Sequence, residues 1–391
     1  MKIRWKAALI AAVVLVAPAS AQTLLTEKKT FEIPNFTTQS GRTLKNVKVG
    51  WESYGTLNTE KSNAILIAHF FSANSHAAGK YKESDAAPGY WDSIIGAGKV
   101  IDTNRYFVMS VDSLVNLNTG DPNTITTGPA SINPDSGKPY GLDFPIVTIR
   151  DFVEVQRLLA DQLGIQRFQL VAGASMGALQ TFEWAASYPD RVARAMPVIA
   201  FGEADANLIA WLDIWASPIR LDPNWNKGDY YGRTPPNDGL AQALKIVTLH
   251  ANHADWANKT FGRKWAKEGE NPASGFDKRF LIETTLDNAG AARAKVSDAN
   301  HFLYLVKANQ LFVAGGGTLD EGVKKIKAPV LLIHSPKDLV FPGAGVDDTA
   351  KRLKDAGLSV QQVQLQGDRG HLDGVLNIKQ AEGAIRDFLA K

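Results

Sequence analysis

Two hydrophobic rhythms alternate along this 391-residue chain. Short unbroken apolar runs at Ala64–His69, Phe168–Ala172 and Pro329–His334 have the character of strands buried on both faces of a parallel sheet. Tyr106–Val111, Arg194–Ala200 and Val360–Leu365 read as further strands of that sheet, and Thr30–Pro34 and Val47–Tyr54 as earlier, antiparallel ones. Between the runs the spacing turns helical. Phe152, Val155, Leu158, Leu159 and Leu163 place one helix between Ile149 and Gly164, and Leu179, Phe182, Trp184 and Ala185 place another from about Met176 to Ser187. Strands alternating with helices predict an α/β fold with a mostly parallel, doubly wound sheet.

The alternation stops between about 201 and 323, where helical stretches and turn clusters occur without a good parallel strand. This segment reads as a helical lid inserted between a first core part, 22–200, and a second, 324–391. It holds Trp211, Trp215, Trp225, Trp256 and Trp265, five of the nine tryptophans. An aromatic pocket for an acyl or alcohol group, a dimer contact and plain packing all remain open for them.

Composition alters the picture at the N-terminus. Lys2, Arg4 and Lys6, an apolar stretch from Ala7 to Ala17, and Ala19-Ser20-Ala21 read as a secretory signal, with cleavage expected after Ala21. The stretch falls short of the ~20 residues a spanning helix needs. Its removal takes the formal charge from +3 to zero, so the secreted or periplasmic product has no general attraction for nucleic acid or membranes. Cysteine is absent, which excludes disulfides, thiolate metal sites and cysteine nucleophiles.

Candidate chemistry centres on Gly173-Ala174-Ser175-Met176-Gly177, a G-x-S-x-G turn between an apolar strand and a helix. Such an elbow exposes the serine hydroxyl at a helix mouth, with glycines where a Cβ would crowd the turn. Asp338 follows the strand that ends at His334, and His371 follows the strand that ends at Leu365, so all three residues collect at the carboxyl edge of the sheet. Serine is a poor nucleophile at neutral pH; His371 would take and return its proton, and Asp338 would orient the imidazole. Asp368 and Asp373 are rival acids that flank His371, and strand-end placement favours Asp338. The amides of Phe71, after strand Ala64–His69, and of Met176 are the expected oxyanion donors.

His76, His250, His253 and His301 read as solvated or core histidines. His250 and His253 could share a helix face, but no H-E-x-x-H pattern accompanies them, and no phosphate loop or dinucleotide fingerprint stands in convincing context. Neither a metal nor a cofactor is expected; the expected partner is a small-molecule ester.

Longer blocks identify a relationship. Tyr54-Gly55-Thr56-Leu57-Asn58, Pro88-Gly89-Tyr90-Trp91-Asp92, Thr127-Gly128-Pro129-Ala130-Ser131-Ile132-Asn133-Pro134, the stretch from Gly141 to Asp151 and Asp222-Pro223-Asn224-Trp225 are among them. Over nearly its whole mature length the chain resembles the homoserine O-acetyltransferase group of the α/β-hydrolase superfamily. The resemblance implies the α/β-hydrolase fold, Ser175, Asp338 and His371 as a triad, a helical lid after the sixth strand and a homodimer through that lid.

The departures fall where that group holds its amino-acid acceptor. An arginine that pairs with the homoserine carboxylate is replaced by Ala216, and an aspartate directly after the catalytic histidine by Leu372. A zwitterion leaving water needs both charges matched, and unmatched burial costs several kcal/mol. The expectation is therefore an exported serine carboxylesterase acting on short-chain or acetyl esters. The alternative is an O-acyltransferase with acetyl-CoA as donor; a non-catalytic binding protein is the third class, opposed by the complete triad.

Overall fold

The computed structural model describes residues 23–391; the signal segment read from residues 1–21 lies outside them. Eight strands form one sheet: β1 (Lys29–Thr37), β2 (Thr43–Tyr54), β3 (Ala64–Ala68), β4 (Phe107–Val111), β5 (Leu170–Ala174), β6 (Ala195–Val198), β7 (Val330–His334) and β8 (Val360–Gln364). Their spatial order is β1-β2-β4-β3-β5-β6-β7-β8. β1 pairs antiparallel with β2 and β2 antiparallel with β4, whereas every later pairing is parallel.

Strands β3 to β7 are buried at every residue, which is why they appear as unbroken apolar runs. Within each run the side chains still alternate: Ala64, Leu66, Val171, Val330 and Leu332 feed one core, while Ile65, Ile67, Leu170, Leu331 and Ile333 feed the other. The first core contains helices α1 (Ile149–Gln162) and α2 (Met176–Ser187) and the inward side of the lid; the second is closed by Trp91 and by Ile385 and Phe388 of the C-terminal helix, Glu382–Ala390.

Several strand ends differ from the sequence pattern: β2 begins at Thr43 rather than Val47, and β6 ends at Val198 rather than Ala200. β1 runs past Pro34 to Thr37, because Asn35, Phe36 and Thr37 pair with Lys45, Leu44 and Thr43. An edge strand tolerates a proline that cannot donate, and Asn46 opposite it takes a positive φ of 53°. β5 starts two residues later than expected and runs directly into Ser175, since Ala174 pairs with Val198 and the Ser175 amide donates to the Val198 carbonyl at 2.9 Å.

Between β6 and β7 the chain adds no strand to this sheet. It forms α3 (Ala206–Leu221), α4 (Asn237–His250), α5 (Ala254–Thr260), α6 (Leu281–Ala294) and α7 (Ala299–Gln310), with α4 packed on α3 and α6 and α3 packed on α7. The following α8 (Leu319–Lys325) straddles residue 323, where the sequence pattern placed the end of the lid, and packs on α2 and α9 (Gly343–Asp355) of the core.

Candidate active site

The tightest backbone contact at the site explains its glycines. A Cβ at Gly177 would lie 2.1 Å from the Ala68 carbonyl oxygen, and one at Gly173 would lie 2.5 Å from Gly177 and 2.6 Å from that same oxygen. Only glycine lets β3, β5 and the first turn of α2 meet. Ser175 between them sits at φ 55°, ψ −120°, a conformation that costs a non-glycine residue about 1–3 kcal/mol. The bond to Val198 and the bonds from Ala178 and Leu179 to the Ser175 carbonyl hold it there.

At the end of β7 the chain turns so that Asp338 Oδ1 accepts from the amides of Val340 (2.8 Å) and Phe341 (2.9 Å). Oδ2 is left for His371 Nδ1, also at 2.8 Å. The other ring nitrogen, Nε2, lies 2.8 Å from Ser175 Oγ. Asp338 and His371 are both buried, and the Phe341 ring stacks on the imidazole with centroids 5.7 Å apart. Gly370, at φ 61°, permits the crossing of loops: a Cβ there would come within 2.8 Å of the Lys337 carbonyl and 3.1 Å of the His253 amide.

The rival acids have other tasks. Asp373 accepts from Asn377 Nδ2 (2.7 Å) and Ser335 Oγ (3.3 Å). Asp368 is an exposed-side partner of Lys259 and Lys337, and those ammonium groups hold its carboxyl down at about 2.

Phe71 and Met176 flank the elbow, and among the described residues neither amide has a protein acceptor. The Phe70 carbonyl accepts from the Ala73 amide at 3.0 Å and from His69 Nδ1 at 2.9 Å. His69 must carry its proton on Nδ1, because Nε2 accepts the Ser113 amide at 2.9 Å. Burial keeps this imidazole below its ordinary pKa and therefore neutral. Since a trans peptide points its N–H opposite to its C=O, His69 fixes the direction of the Phe71 donor. The Phe71 ring turns into the lid, edge-on to Trp215 and Phe302.

Of the other histidines, four are engaged with protein partners, whereas Nδ1 of buried His334 has none among the described residues. His76 Nδ1 meets Glu52 at 3.0 Å and its ring stacks on Tyr81. His301 meets the Asn116 carbonyl and the Ala130 amide. His253 caps α5 through the Asp255 amide. His250 accepts from the Trp215 indole N–H at 3.2 Å and donates to the Leu339 carbonyl at 3.0 Å. Two of the five lid tryptophans thus gather on one residue, since Trp211 also stacks on His250 at 4.0 Å. Trp225 donates to Asn300, Trp256 lies under Arg369, and Trp265 is largely outside. Ala216 is buried within α3, and Leu372 is half-buried beside His371.

Ser175, Asp338 and His371, singled out by sequence spacing, lie within hydrogen-bond reach of one another, whereas the spacing gave no sign of the partners of His69 and His250, which lie far along the chain. A histidine at the end of β3 before the donor loop was the one available signal for the first.

Residues 87–375 match the family described as alpha/beta hydrolase fold. A homoserine O-acetyltransferase of Deferribacter desulfuricans is 37% identical over 359 residues, covering 91% of this chain and 93% of the relative. One from Methanohalobium evestigatum is 37% identical over 93% of this chain and 73% of its own length. Among solved structures, esterase E22 is 50% identical with a TM-score of 0.90, over 93% of this chain and 100% of the esterase. A homoserine O-acetyltransferase from Bacillus anthracis is 35% identical with a TM-score of 0.89, over 94% of this chain and 98% of that one.

Proposed function

The chain belongs to the homoserine O-acetyltransferase family of the α/β-hydrolase fold, and from that premise we propose that it hydrolyses short-chain esters, acetyl esters foremost, through an acyl-enzyme on Ser175. Ser175 Oγ attacks the ester carbonyl carbon while His371 Nε2 takes its proton. The carbonyl electron pair moves to oxygen, which the Phe71 and Met176 amides receive; a single such donor is worth about 2.7–4 kcal/mol. Collapse expels the alcohol, which leaves with the proton from His371. Water then repeats the sequence on the acyl-enzyme and releases the acid.

The observation that carries water over an amino acid as acceptor is the apolar character of Ala216 and Leu372, where the resemblance places the arginine and aspartate that would match homoserine. The 50% identity to an esterase supports the same reading. The curated relatives favour a second one: eight of them, at 36–38% identity over at least 90% of this chain, carry the name homoserine O-acetyltransferase. In that reading homoserine replaces water in the second half-reaction and acetyl-CoA replaces the ester in the first.

One assay separates them. Protein lacking residues 1–21 is given nitrophenyl acetate, or acetyl-CoA with homoserine, with Ser175→Ala as control. Nitrophenol release lost in the control, without homoserine-dependent CoA release, supports the hydrolase; homoserine-dependent CoA release overturns it. Export belongs to the same proposal, and N-terminal sequencing of the protein recovered outside the cytoplasm should begin at Gln22. A homodimer through the lid is proposed on the outward face of α3, where Ile209, Ile214 and Leu221 are exposed; sedimentation of the Leu221→Glu variant as a monomer would support it.

A further inference from the structure

The contact that ties the lid to the catalytic acid runs through one peptide group. The Leu339 carbonyl accepts from His250 Nε2 at 3.0 Å, and the amide of that same peptide, on Val340, donates to Asp338 Oδ1 at 2.8 Å. On the far side of the ring, the Trp215 indole N–H donates to His250 Nδ1 at 3.2 Å. An indole N–H only donates and a carbonyl only accepts, so the tautomer is fixed: Nδ1 is bare and Nε2 carries the proton. A single line of hydrogen bonds therefore leads from Trp215 in α3 through His250 in α4, the Leu339–Val340 peptide, Asp338 and His371 to Ser175.

We propose that His250 is a positioning residue for the catalytic acid: its neutral imidazole, held by Trp215, fixes the peptide that aims Asp338 at His371. This rests on the Ser175 acyl-enzyme reading and does not depend on whether water or an alcohol accepts the acyl group. The surroundings agree with a fixed joint. The residues just after His250 hold the base's loop as well: the Ala251 carbonyl accepts from the Leu372 amide, and Asn252 Oδ1 accepts from Arg369 Nε at 2.6 Å. Asp255 meets Lys337, the residue before the acid, at 2.6 Å. Burial holds His250 neutral, with its pKa pressed down to about 4. Each bond in the line polarises the next, so loss of the first is transmitted to the carboxylate as both displacement and altered charge.

The test compares His250→Leu, His250→Gln and Leu244→Ala, the last a buried change in the same helix away from the line. Values of kcat and KM are read with nitrophenyl acetate, and the rate of Ser175 labelling with a fluorophosphonate is read independently of any acceptor. A 1 Å misplacement of a catalytic group costs up to about 100-fold. His250→Leu is therefore expected to lower kcat by about 10- to 100-fold with KM changed less than about twofold, and to slow labelling in proportion. Glutamine offers one acceptor and one donor spaced much like the two ring nitrogens, and should recover kcat to within about threefold. Leu244→Ala should lower Tm and leave kcat, KM and the labelling rate in place.

The proposal is overturned if His250→Leu labels as fast as the native protein, or loses no more kcat than Leu244→Ala. If His250→Leu does not fold, His250→Asn takes its place: it can accept from Trp215 but is too short for Leu339, and kcat equal to that of His250→Gln overturns the proposal. Native protein that the fluorophosphonate fails to label would instead sink the acyl-enzyme reading itself.

Discussion

At the elbow, backbone touches backbone: Gly173 and Gly177 bring β3, β5 and α2 together, and Ser175 is held by main-chain bonds to Val198, Ala178 and Leu179. At the loops bearing Asp338 and His371, side chains from the lid reach across: His250 to the Leu339 carbonyl, Asn252 to the Arg369 side chain and Asp255 to the Lys337 side chain. Ser175 is thus fixed by steric exclusion, which has no tolerance for an added atom, while the loops of Asp338 and His371 are fixed by polar partners, each of which can be weakened by degrees. Strain is stored at the first region and specificity of orientation at the second.

Substitutions can break this contrast. The largest effect is expected from Asp338→Asn, which keeps the loop shape but offers His371 the wrong partner; kcat should fall by about 10⁴ while Tm stays within a few degrees. Gly177→Ala attacks the other region, and because its Cβ would sit 2.1 Å from a backbone oxygen there is no side chain to move aside. Thermal unfolding should show a loss at or beyond the upper end of the about 1–3 kcal/mol typical of overpacking, with activity falling in parallel. Retained Tm would mean that the elbow is more pliable than its contacts indicate.

Acid sharpens the comparison from the polar side. His69, His250, His301 and His334 are held neutral by burial, His250 down to about 4. Unfolded histidine titrates near 6.5, so below that pH the unfolded chain binds more protons than the native one and stability falls as pH falls. Tm measured from pH 7 to pH 4 should decline, and His250→Gln should flatten the decline between about 6.5 and 4 by one proton's share. An unchanged slope would mean that His250 is protonated in the native state.

The smallest effect belongs to Lys337→Met. Its ammonium, raised in pKa by Asp255 and Asp368, sits at the rim, where ion pairs contribute only a small stabilisation that salt screens. Urea unfolding should show a small loss at low ionic strength that disappears near 1 M salt.

Much of the first region was legible in the sequence because its determinants are local. The strand, the G-x-S-x-G turn and the helix lie within about twenty residues, and an apolar run or a glycine pair has its meaning on the spot. Asp338 and His371 could be found for the same reason, each standing a few residues beyond a strand. The second region was not legible. His250 and Leu339 are 89 positions apart, and nothing in either neighbourhood announces the other. His250 stood out only as half of a metal pair with His253, a reading that the partners of both rings do not support. The extension of β1 beyond Pro34 was hidden as well, because proline's local penalty vanishes on an edge whose N–H direction the sequence does not reveal.

Ser175 precedes the lid along the chain and its two helpers follow it, and this orders events in time. Any machine that makes or threads the polypeptide from its N-terminus delivers Ser175 before the lid and His371 only after it. Until β8 is added and the final helix lays Ile385 and Phe388 on the second core, the serine is an ordinary alcohol with no base beside it. On the proposed acyl-enzyme reading, the serine therefore becomes reactive only once the segments beyond the lid have folded against it, and a chain that stops short of them is chemically silent toward the esters around it.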